Sequence, residues 1–242
     1  MALIWCDLYS RIPDKVAPLY EAVFGWHVEG HEGMTCHSHS QPVARILKMP
    51  DPFFSTRLPS FWMPCFYTDD LNHSTKLAEQ LGGKVEIAPA APPAPIEDRF
   101  ALIRDPLGAG FCLIEQPGFT LGTQEGEPHL GHLHVSDAAA ILPFYSRLMQ
   151  WRFTPLAGDA GCYDITSDDN PGRWGLLREL PDSIRGQYQY WTPGFVRHDI
   201  QAAARTCKHM GGSELADWRD HTGHHKLISD PEGSVCIMTN PG

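Results

Sequence analysis

Two histidines that alternate along a predicted strand are the first residues whose types and spacing allow chemistry. His132 and His134 lie in the segment GHLHV, and a strand places residues two apart on the same face. Two imidazoles on one face are donors for a metal ion, and His224 or His225 of the segment HTGHH could complete such a site. A His-x-His pair is weakly specific, and the sequence offers no carboxylate paired with it.

An acid and a thiol suggest a second kind of chemistry. Asp7, in the segment LIWCDLY, is a candidate general base whose pKa an apolar site would raise. The alternative is an acid that bonds to backbone amides near a strand end. Cys112 is a candidate nucleophile, or a thiol of the core, because no adjacent His is evident to activate it.

A duplication organises the chain around these residues. The segment DPLGAGFCLIE, residues 105–115, recurs as DPEGSVCIM, residues 230–238, and each copy predicts a turn followed by a half-buried strand. The same displacement lays the apolar helix pattern of residues 16–26 on that of residues 141–151. A repeat of this length is the size of a domain and too long for a solenoid unit.

The order of predicted elements indicates an α+β fold of four βαβββ modules, two in each domain. In each module a strand precedes a helix, and short strands follow the helix. The segment PGFTLGTQEGEP carries turn formers and acids without periodicity, which favours a linker. We therefore predict one domain at residues 1–117, a linker at 118–128 and a second domain at 129–242.

Composition excludes several classes of partner. The 242 residues include 19 Lys and Arg against 29 Asp and Glu, and a net charge of -10 repels nucleic acid and anionic membrane surfaces. No signal-peptide pattern or membrane-spanning apolar run is present, so we expect a cytoplasmic protein with neither nucleic acid nor membrane as a partner. The seven Cys include no CxxC and are typical of reduced, buried thiols.

Four segments carry a resemblance to a known family: PLYEAVFGW, DDLNHSTKLAEQLGG, DRFALIRDPLGAGF and GHLHVSDAAAILPFY. Together they resemble the vicinal oxygen chelate superfamily, which includes glyoxalase I, bleomycin-resistance proteins and extradiol dioxygenases. WCDL with DRFALIRDPLGAGF is most similar to its two-domain, glyoxalase-like branch. The resemblance implies that two modules curl one sheet into a cup around a small-molecule site, where family enzymes usually hold a divalent metal.

The resemblance also implies where the metal donors of the family would fall in this chain. These positions hold Trp5, Met63, Cys112, Leu130, Thr192 and Ile237. None is a His or a carboxylate, whereas a hard or borderline divalent ion needs several oxygen or nitrogen donors at about 2 to 2.6 Å. We therefore expect no inherited metal and no other cofactor.

Strand alternation then assigns residues to the two cups, since residues two apart share a face. The residues of the first cup are Trp5, Asp7, Tyr9, Met63, Cys65, Tyr67 and Cys112. The residues of the second cup are Leu130, His132, His134, Thr192 and Ile237. A shift of one residue would reverse every assignment.

These features predict a glyoxalase- or bleomycin-resistance-like protein that binds a small, partly apolar molecule in a cup-shaped sheet without the divalent metal of the family. Aromatic and thioether surfaces would desolvate the ligand, and Asp7, Tyr9, Tyr67 or the His132 and His134 pair would orient its polar atoms. The alternative is a metal-dependent lyase, isomerase or dioxygenase with a new His site in the second domain. A structural protein with filled cups is a third class. Enzymatic turnover and a homodimer both stay open.

Overall fold

The chain repeats one order of elements four times. A computed structural model describes residues 3–31, 33–50, 59–90, 99–115, 125–168, 175–220 and 222–241. In these ranges a strand, a helix and three strands follow one another in each repeat, with one additional short helix before the last repeat. The predicted α+β class and the four βαβββ modules are confirmed.

The modules have the following bounds. The first consists of β1 (Leu3–Ser10), α1 (Pro13–Phe24), β2 (His27–Glu29), β3 (Gly33–Ser38) and β4 (Gln41–Lys48). The second consists of β5 (Phe61–Tyr67), α2 (Leu71–Gln80), β6 (Lys84–Ala90), β7 (Phe100–Arg104) and β8 (Gly110–Ile114). The third consists of β9 (Pro128–Val135), α3 (Ala138–Leu148), β10 (Trp151–Pro155), β11 (Cys162–Ser167) and β12 (Gly175–Glu179). After the short α4 (Asp182–Arg185), the fourth consists of β13 (Tyr190–Val196), α5 (Ile200–His209), β14 (Ser213–Asp220), β15 (Gly223–Ser229) and β16 (Val235–Asn240).

The strands form two eight-stranded sheets with the same internal order. The first sheet runs β2-β3-β4-β1-β5-β8-β7-β6, and the second runs β10-β11-β12-β9-β13-β16-β15-β14. This identity of order is what a duplicated sequence predicts. Of the predicted linker, residues 118–124 lie outside the described residues, and Pro128 already begins β9.

Proximity of Cα atoms divides the chain into two compact units. The first unit contains residues 1–4, 64–120 and 130–192, and the second contains residues 5–63, 121–129 and 193–242. The first unit thus combines the second and third modules, and the second unit combines the first and fourth. The predicted domains each contain one sheet instead, so their boundaries stay a prediction.

Aspartate side chains cap three of the described helices. Asp70, Asp137 and Asp199 each accept a hydrogen bond from the backbone N–H three residues later, at 2.8, 3.0 and 2.9 Å. Such a cap satisfies one of the N–H groups that the first turn leaves without a partner. α1 begins with Pro13 and ends at Gly25, whose φ of 69° is the left-handed conformation that glycine adopts readily. None of the helices described is long and apolar enough to cross a membrane.

A buried carboxylate joins two modules in the first unit. One oxygen of Asp105 accepts hydrogen bonds of 2.7 to 2.9 Å from the N–H groups of Leu107, Gly108 and Ala109, which closes the DPLG turn. Its other oxygen accepts a bond of 2.9 Å from the Tyr145 hydroxyl of α3. The Tyr145 ring is 0% exposed and stacks on Trp151 at 5.2 Å, so this helix tyrosine is part of the core.

The second unit repeats the arrangement with its own residues. One oxygen of Asp230 accepts bonds of 2.9 Å from the N–H groups of Glu232 and Ser234, and the other accepts one of 3.1 Å from the Tyr20 hydroxyl of α1. Tyr20 is 1% exposed and stacks on Trp26 at 6.1 Å. The repeated DPxG turn is therefore a buried hydrogen-bonding centre as well as a hairpin.

The segment just before β9 packs tightly inside the second unit. Gly126 has a φ of 79°, and its carbonyl accepts a bond of 2.8 Å from the Trp26 indole N–H. Its backbone also pairs with β13, through a bond of 2.8 Å from its N–H to the Val196 carbonyl. A Cβ at this position would lie 2.6 Å from the Trp26 indole nitrogen.

We expect Gly126→Ala to lower the free energy of unfolding by roughly 3 kcal/mol, because it adds a clash to the strain of a positive φ. Gly158→Ala is the matched control. Gly158 has a φ of 84°, but a Cβ there meets no described atom within 4 Å, so its cost is about 1 kcal/mol. Urea unfolding of both variants measures the difference. Equal losses would contradict the packing at Gly126.

Burial raises the pKa of Asp105 to about 6, although its hydrogen bonds from Ala109 and Tyr145 oppose the shift. Since the folded state then binds a proton more readily than the unfolded state, this group adds stability as the pH falls through 6. When the pH is lowered from 7.5 to 5, we expect the free energy of unfolding of the wild type to rise by about 1.4 kcal/mol relative to that of Asp105→Asn. Urea unfolding at the two pH values measures this change. A pH-independent difference would contradict it.

Candidate functional site

The predicted His pair lies at the centre of a small cluster in the first unit. His132 and His134 of β9 have Leu176 and Arg178 of β12 as their Cα partners, so all four side chains leave the same face of the sheet. Tyr190, the first residue of β13, contacts His134. We call His132, His134, Arg178 and Tyr190 the His134 cluster.

The aromatic rings of this cluster are in contact. The His132 and His134 ring centroids lie 6.3 Å apart at 43°, as expected for side chains on one face. The Tyr190 ring lies 4.9 Å from that of His134 at 39°. His132 is buried, whereas His134, Arg178 and Tyr190 are half-buried. The cluster therefore has an inner buried end and an accessible aromatic end.

Electrostatics keep the central imidazole neutral. Burial, and then the positive charge of Arg178, lower the pKa of His134 to about 4. Burial also raises the pKa of Tyr190, against the effect of Arg185. The Nδ1 atom of His134 is buried and has no hydrogen-bond partner among the described residues. A neutral imidazole with an unsatisfied polar atom can bind a hydroxyl or carbonyl group of a ligand.

A braced segment leads into Tyr190. The buried Arg185 side chain donates to Asp182 at 2.5 Å, to the Leu180 carbonyl at 3.4 Å and also to the Tyr188 carbonyl. Gln189 then accepts a bond of 2.7 Å from the Ser136 N–H at the end of β9. These contacts fix the chain on both sides of Tyr190, and so they fix its ring beside His134.

The structure places Asp7 in an ion pair. Its carboxylate is 3% exposed and accepts two bonds of 2.8 Å from Arg45, its Cα partner on β4. The bidentate guanidinium is a partner that neither interpretation of Asp7 included, and a catalytic role for this carboxylate stays a prediction. Nearby in the second unit, Tyr9 stacks on Phe61 at 5.3 Å. This face therefore combines an ion pair with an aromatic pair.

The other predicted cup residues differ in exposure. Cys65 and Cys112 are Cα partners in parallel strands and are buried. Tyr67 is half-buried, and its hydroxyl donates to Asp69 at 2.5 Å, a bond that raises its pKa. The buried residues also include Met63, Thr192 and Ile237. Trp5 and Leu130 lie in strands, but their side chains are outside the described part of the chain. A binding role for these residues stays a prediction.

Two histidines of the HTGHH segment, His224 and His225, have partners within the second unit. His224 Nε2 lies 2.6 Å from an Asp217 oxygen. His225 is 1% exposed, with Nε2 at 3.0 Å from Asp220 and Nδ1 at 3.1 Å from the Thr239 hydroxyl. Among the residues within the described ranges, no three His, Cys, Asp or Glu side chains converge to hold a metal ion. A metal site that His132 and His134 share with His224 or His225 stays a prediction.

Sequence reasoning missed three residues of these clusters: Arg45, Arg178 and Tyr190. Arg45 and Arg178 each follow or interrupt an apolar strand, in PVARIL and GLLREL, where a single charge marks a polar face. Tyr190 had a weaker signal, because it adjoins a Trp that packs in the core. Its partner His134 is 56 residues earlier in the chain (190 − 134), so only the folded structure identifies the contact.

Comparisons with known proteins agree with this fold. A family model described as a glyoxalase-like domain matches residues 132–238. The anthracycline biosynthesis protein DnrV of Streptomyces peucetius is 25% identical over 260 aligned positions, which cover 95% of this chain and 90% of that protein. The chain thus has a relative of similar length along nearly its whole sequence.

Several solved structures have a fold similar to that of this chain, at low sequence identity. The Mn(II)-bound glyoxalase from Novosphingobium aromaticivorans is 13% identical with a TM-score of 0.69, over 99% of this chain and 81% of that one. A variant of homoprotocatechuate 2,3-dioxygenase from Brevibacterium fuscum is 15% identical with a TM-score of 0.71, over 99% and 71%. A 4-hydroxymandelate synthase variant from Streptomyces coelicolor is 13% identical with a TM-score of 0.62, over 100% and 93%.

The residues of this chain do not fit the divalent metal that the fold family implies. The positions for its donors hold an indole, a thioether, a thiol, a hydroxyl and two aliphatic side chains: Trp5, Met63, Cys112, Thr192, Leu130 and Ile237. Hard or borderline divalent ions prefer carboxylate, imidazole or carbonyl donors. The chemistry of these side chains therefore argues against a glyoxalase-type metal centre.

The low pKa of His134 predicts a loss of stability in acid. Its folded pKa of about 4 lies below the ordinary value of 6.5, so the unfolded state gains a proton first as the pH falls from 6.5 towards 4. When the pH is lowered from 7 to 5, we expect the free energy of unfolding of the wild type to fall by about 2 kcal/mol relative to that of His134→Gln. Urea unfolding measures this, with His27→Gln, at an exposed site, as the matched control that follows the wild type. A parallel loss in His134→Gln would contradict the burial of a neutral imidazole.

Proposed function

We propose that this chain, whose residues 132–238 match a glyoxalase-like domain, binds a small, partly apolar, aromatic molecule at the His134 cluster. Binding takes place without the divalent metal that is usual in the family. The ligand lies with its ring against Tyr190 and directs a hydroxyl or carbonyl group towards His134. This proposal concerns binding, and it requires no chemical step.

The observation that carries the proposal is the neutral, buried polar atom at the centre of an aromatic surface. The Nδ1 atom of His134 has no hydrogen-bond partner among the described side chains and main-chain groups, and the pKa of this imidazole is about 4. A buried polar atom without a partner is costly, and a ligand hydroxyl would remove that cost. Tyr190 adds a half-buried ring at 4.9 Å that favours a flat apolar partner.

The charge beside the cluster limits the ligand class further. The positive charge of Arg178 helps to lower the pKa of His134, so a ligand at the cluster meets a cationic guanidinium beside a neutral imidazole. A phenol or an enol suits such a region, because the guanidinium favours the oxygen as it gains negative charge. Arg178 also lies 3.6 Å from Asp159, which leaves the local charge nearly balanced. A strongly anionic ligand is therefore a poorer match than a neutral hydroxylated ring.

The relationship to DnrV supports an aromatic ligand. That protein is named for anthracycline biosynthesis, and anthracyclines are fused-ring compounds with hydroxyl and carbonyl groups. Its identity of 25% extends over 95% of this chain. A hydroxylated fused-ring compound is therefore the probe that we select.

The test is isothermal titration of the full chain with 1,8-dihydroxyanthraquinone. We expect saturable binding that Tyr190→Ala and His134→Gln each weaken about tenfold, which corresponds to roughly 1.4 kcal/mol per contact. His27→Gln, which changes an exposed imidazole of the second unit, is the matched control and leaves the affinity unchanged. Binding that is insensitive to both cluster variants would refute the site, and no saturable binding would refute the ligand class.

Metal content distinguishes this proposal from a metal-dependent lyase, isomerase or dioxygenase. Purified untagged protein is exposed to manganese or iron(II), dialysed, and measured by inductively coupled plasma mass spectrometry. We expect no stoichiometric ion, because the donor positions of the family hold no carboxylate or imidazole. One retained ion per chain would favour the metal-dependent alternative.

A further inference from the structure

Two cysteines of the first unit lie directly side by side. Cys65 of β5 and Cys112 of β8 are Cα partners in a parallel strand pair, and neither is in a disulfide. Cα partners in neighbouring strands lie about 4.8 Å apart, with their side chains on the same face. Both residues are buried, with exposures of 0% and 3%.

The residues that alternate with these cysteines identify the face. Phe66 and Phe111 contact each other at 5.9 Å, and Phe111 lies 5.9 Å from Tyr145 of α3. Those two rings therefore pack on the helix side of the sheet. Since side chains alternate along a strand, Cys65 and Cys112 leave the opposite face, which the family resemblance assigns to the ligand cup.

Cys112 occupies a position at which the family resemblance implies a metal donor. The resemblance places the carboxylate donor of the last strand at this residue, and here a soft sulfur stands in its place. Its Cα partner is a second soft donor. Thiolates select soft cations over the hard and borderline ions that carboxylates bind. The site has thus changed its donor class as well as lost its original ligands.

We propose that Cys65 and Cys112 bind a thiophilic divalent cation in two-coordinate geometry. Two metal–sulfur bonds of about 2.3 Å in line need the two Sγ atoms about 4.6 Å apart, and a strand spacing of about 4.8 Å with both side chains on one face brings the sulfurs within reach of that separation. Each thiol loses its proton and forms one metal–sulfur bond, so two protons leave for each ion bound. No oxidant or reductant takes part.

Charge balance selects a divalent ion over a monovalent one. Two thiolates and a divalent cation form a neutral complex, whereas a monovalent cation would leave a net negative charge. Leu102 lies opposite Cys112, and Ile114 follows it on the same face, so the surroundings include apolar side chains. An uncompensated charge in such surroundings is costly, and a neutral dithiolate complex avoids that cost.

The other strand cysteines with a described register lack this arrangement. The Cα partners of Cys36, Cys162 and Cys236 are Ala44, Arg178 and Ile228. Cys207 lies in α5, and its electrostatic interaction with Cys236 makes that pair the main competitor for a thiophilic ion. Cys162→Ser and Cys207→Ser are therefore the matched controls, because each removes one buried thiol elsewhere.

The test uses mercuric chloride with the reduced full chain under nitrogen, in the presence of excess N-acetylcysteine. The monothiol removes ions that single cysteines hold, so only a preorganised dithiol retains mercury through gel filtration. We expect one ion per chain for the wild type and both controls, and an about tenfold loss in Cys65→Ser and in Cys112→Ser. Two further readouts use one equivalent of mercuric chloride without the monothiol: proton release in weak buffer, with two protons for each ion bound, and thiolate-to-metal absorption.

Each outcome decides the proposal. Retention that survives in Cys65→Ser and Cys112→Ser, or that disappears in Cys207→Ser, would overturn it, and so would a wild type that retains no mercury. Should either serine variant unfold, the alanine variants and the proton release of the wild type take its place, with thermal unfolding as the check. Because this pair is separate from the His134 cluster, failure here leaves the binding of an aromatic molecule unaffected.

Discussion

A buried hydrogen bond between a turn carboxylate and a helix tyrosine is the interaction on which each compact unit depends. Asp105 and Tyr145 form it in the first unit, and Asp230 and Tyr20 form it in the second. In both units one carboxylate oxygen closes the DPxG turn and the other reaches a helix of a different module. Because burial alone disfavours a carboxylate, its hydrogen bonds must compensate for lost water, and that requirement fixes the turn against the helix. A strand follows each turn, so this contact also fixes the position of β8 and β16.

The pairing of modules follows from this constraint. An isolated βαβββ module cannot bury both its helix and the sheet behind it, and here the aromatic surface of one module packs on that of another. In the first unit Phe66 contacts Trp151 and Trp191, at 5.1 and 5.3 Å. In the second, Phe195 contacts Trp26 and Trp62, at 5.1 and 5.3 Å. The repeated tryptophans serve the core, and the opposite face of each sheet is left for polar groups that the core could not hold.

The sheet face away from the aromatic core differs between the two repeats, whereas the turns and the core contacts are the same in both. The duplication places Asp7 at the position of His132, yet Asp7 is paired with an arginine and His132 lies beside a second imidazole. Where the superfamily resemblance implies metal donors, the chain has thiol, thioether, indole and aliphatic groups. The residues of the DPxG turns and of the aromatic core are constrained by packing and hydrogen bonding, and few substitutions preserve those contacts. Residues on the opposite face do not take part in these aromatic contacts between modules, so they can change with less effect on the fold.

Much of the fold could be predicted from the sequence, because its determinants are local or repeated. The DPxG turns, the aspartates that begin helices and the apolar helix faces lie within short segments, and their recurrence indicates four modules. Residue types alone also argue against the metal of the family, since none of the expected donor positions holds a His or a carboxylate. Only the tertiary structure decided which modules share a compact unit, that Arg45 holds Asp7, and that Arg178 and Tyr190 surround a neutral His134. These facts depend on the register between strands distant in sequence and on the depth of burial, and neither is a property of any local segment.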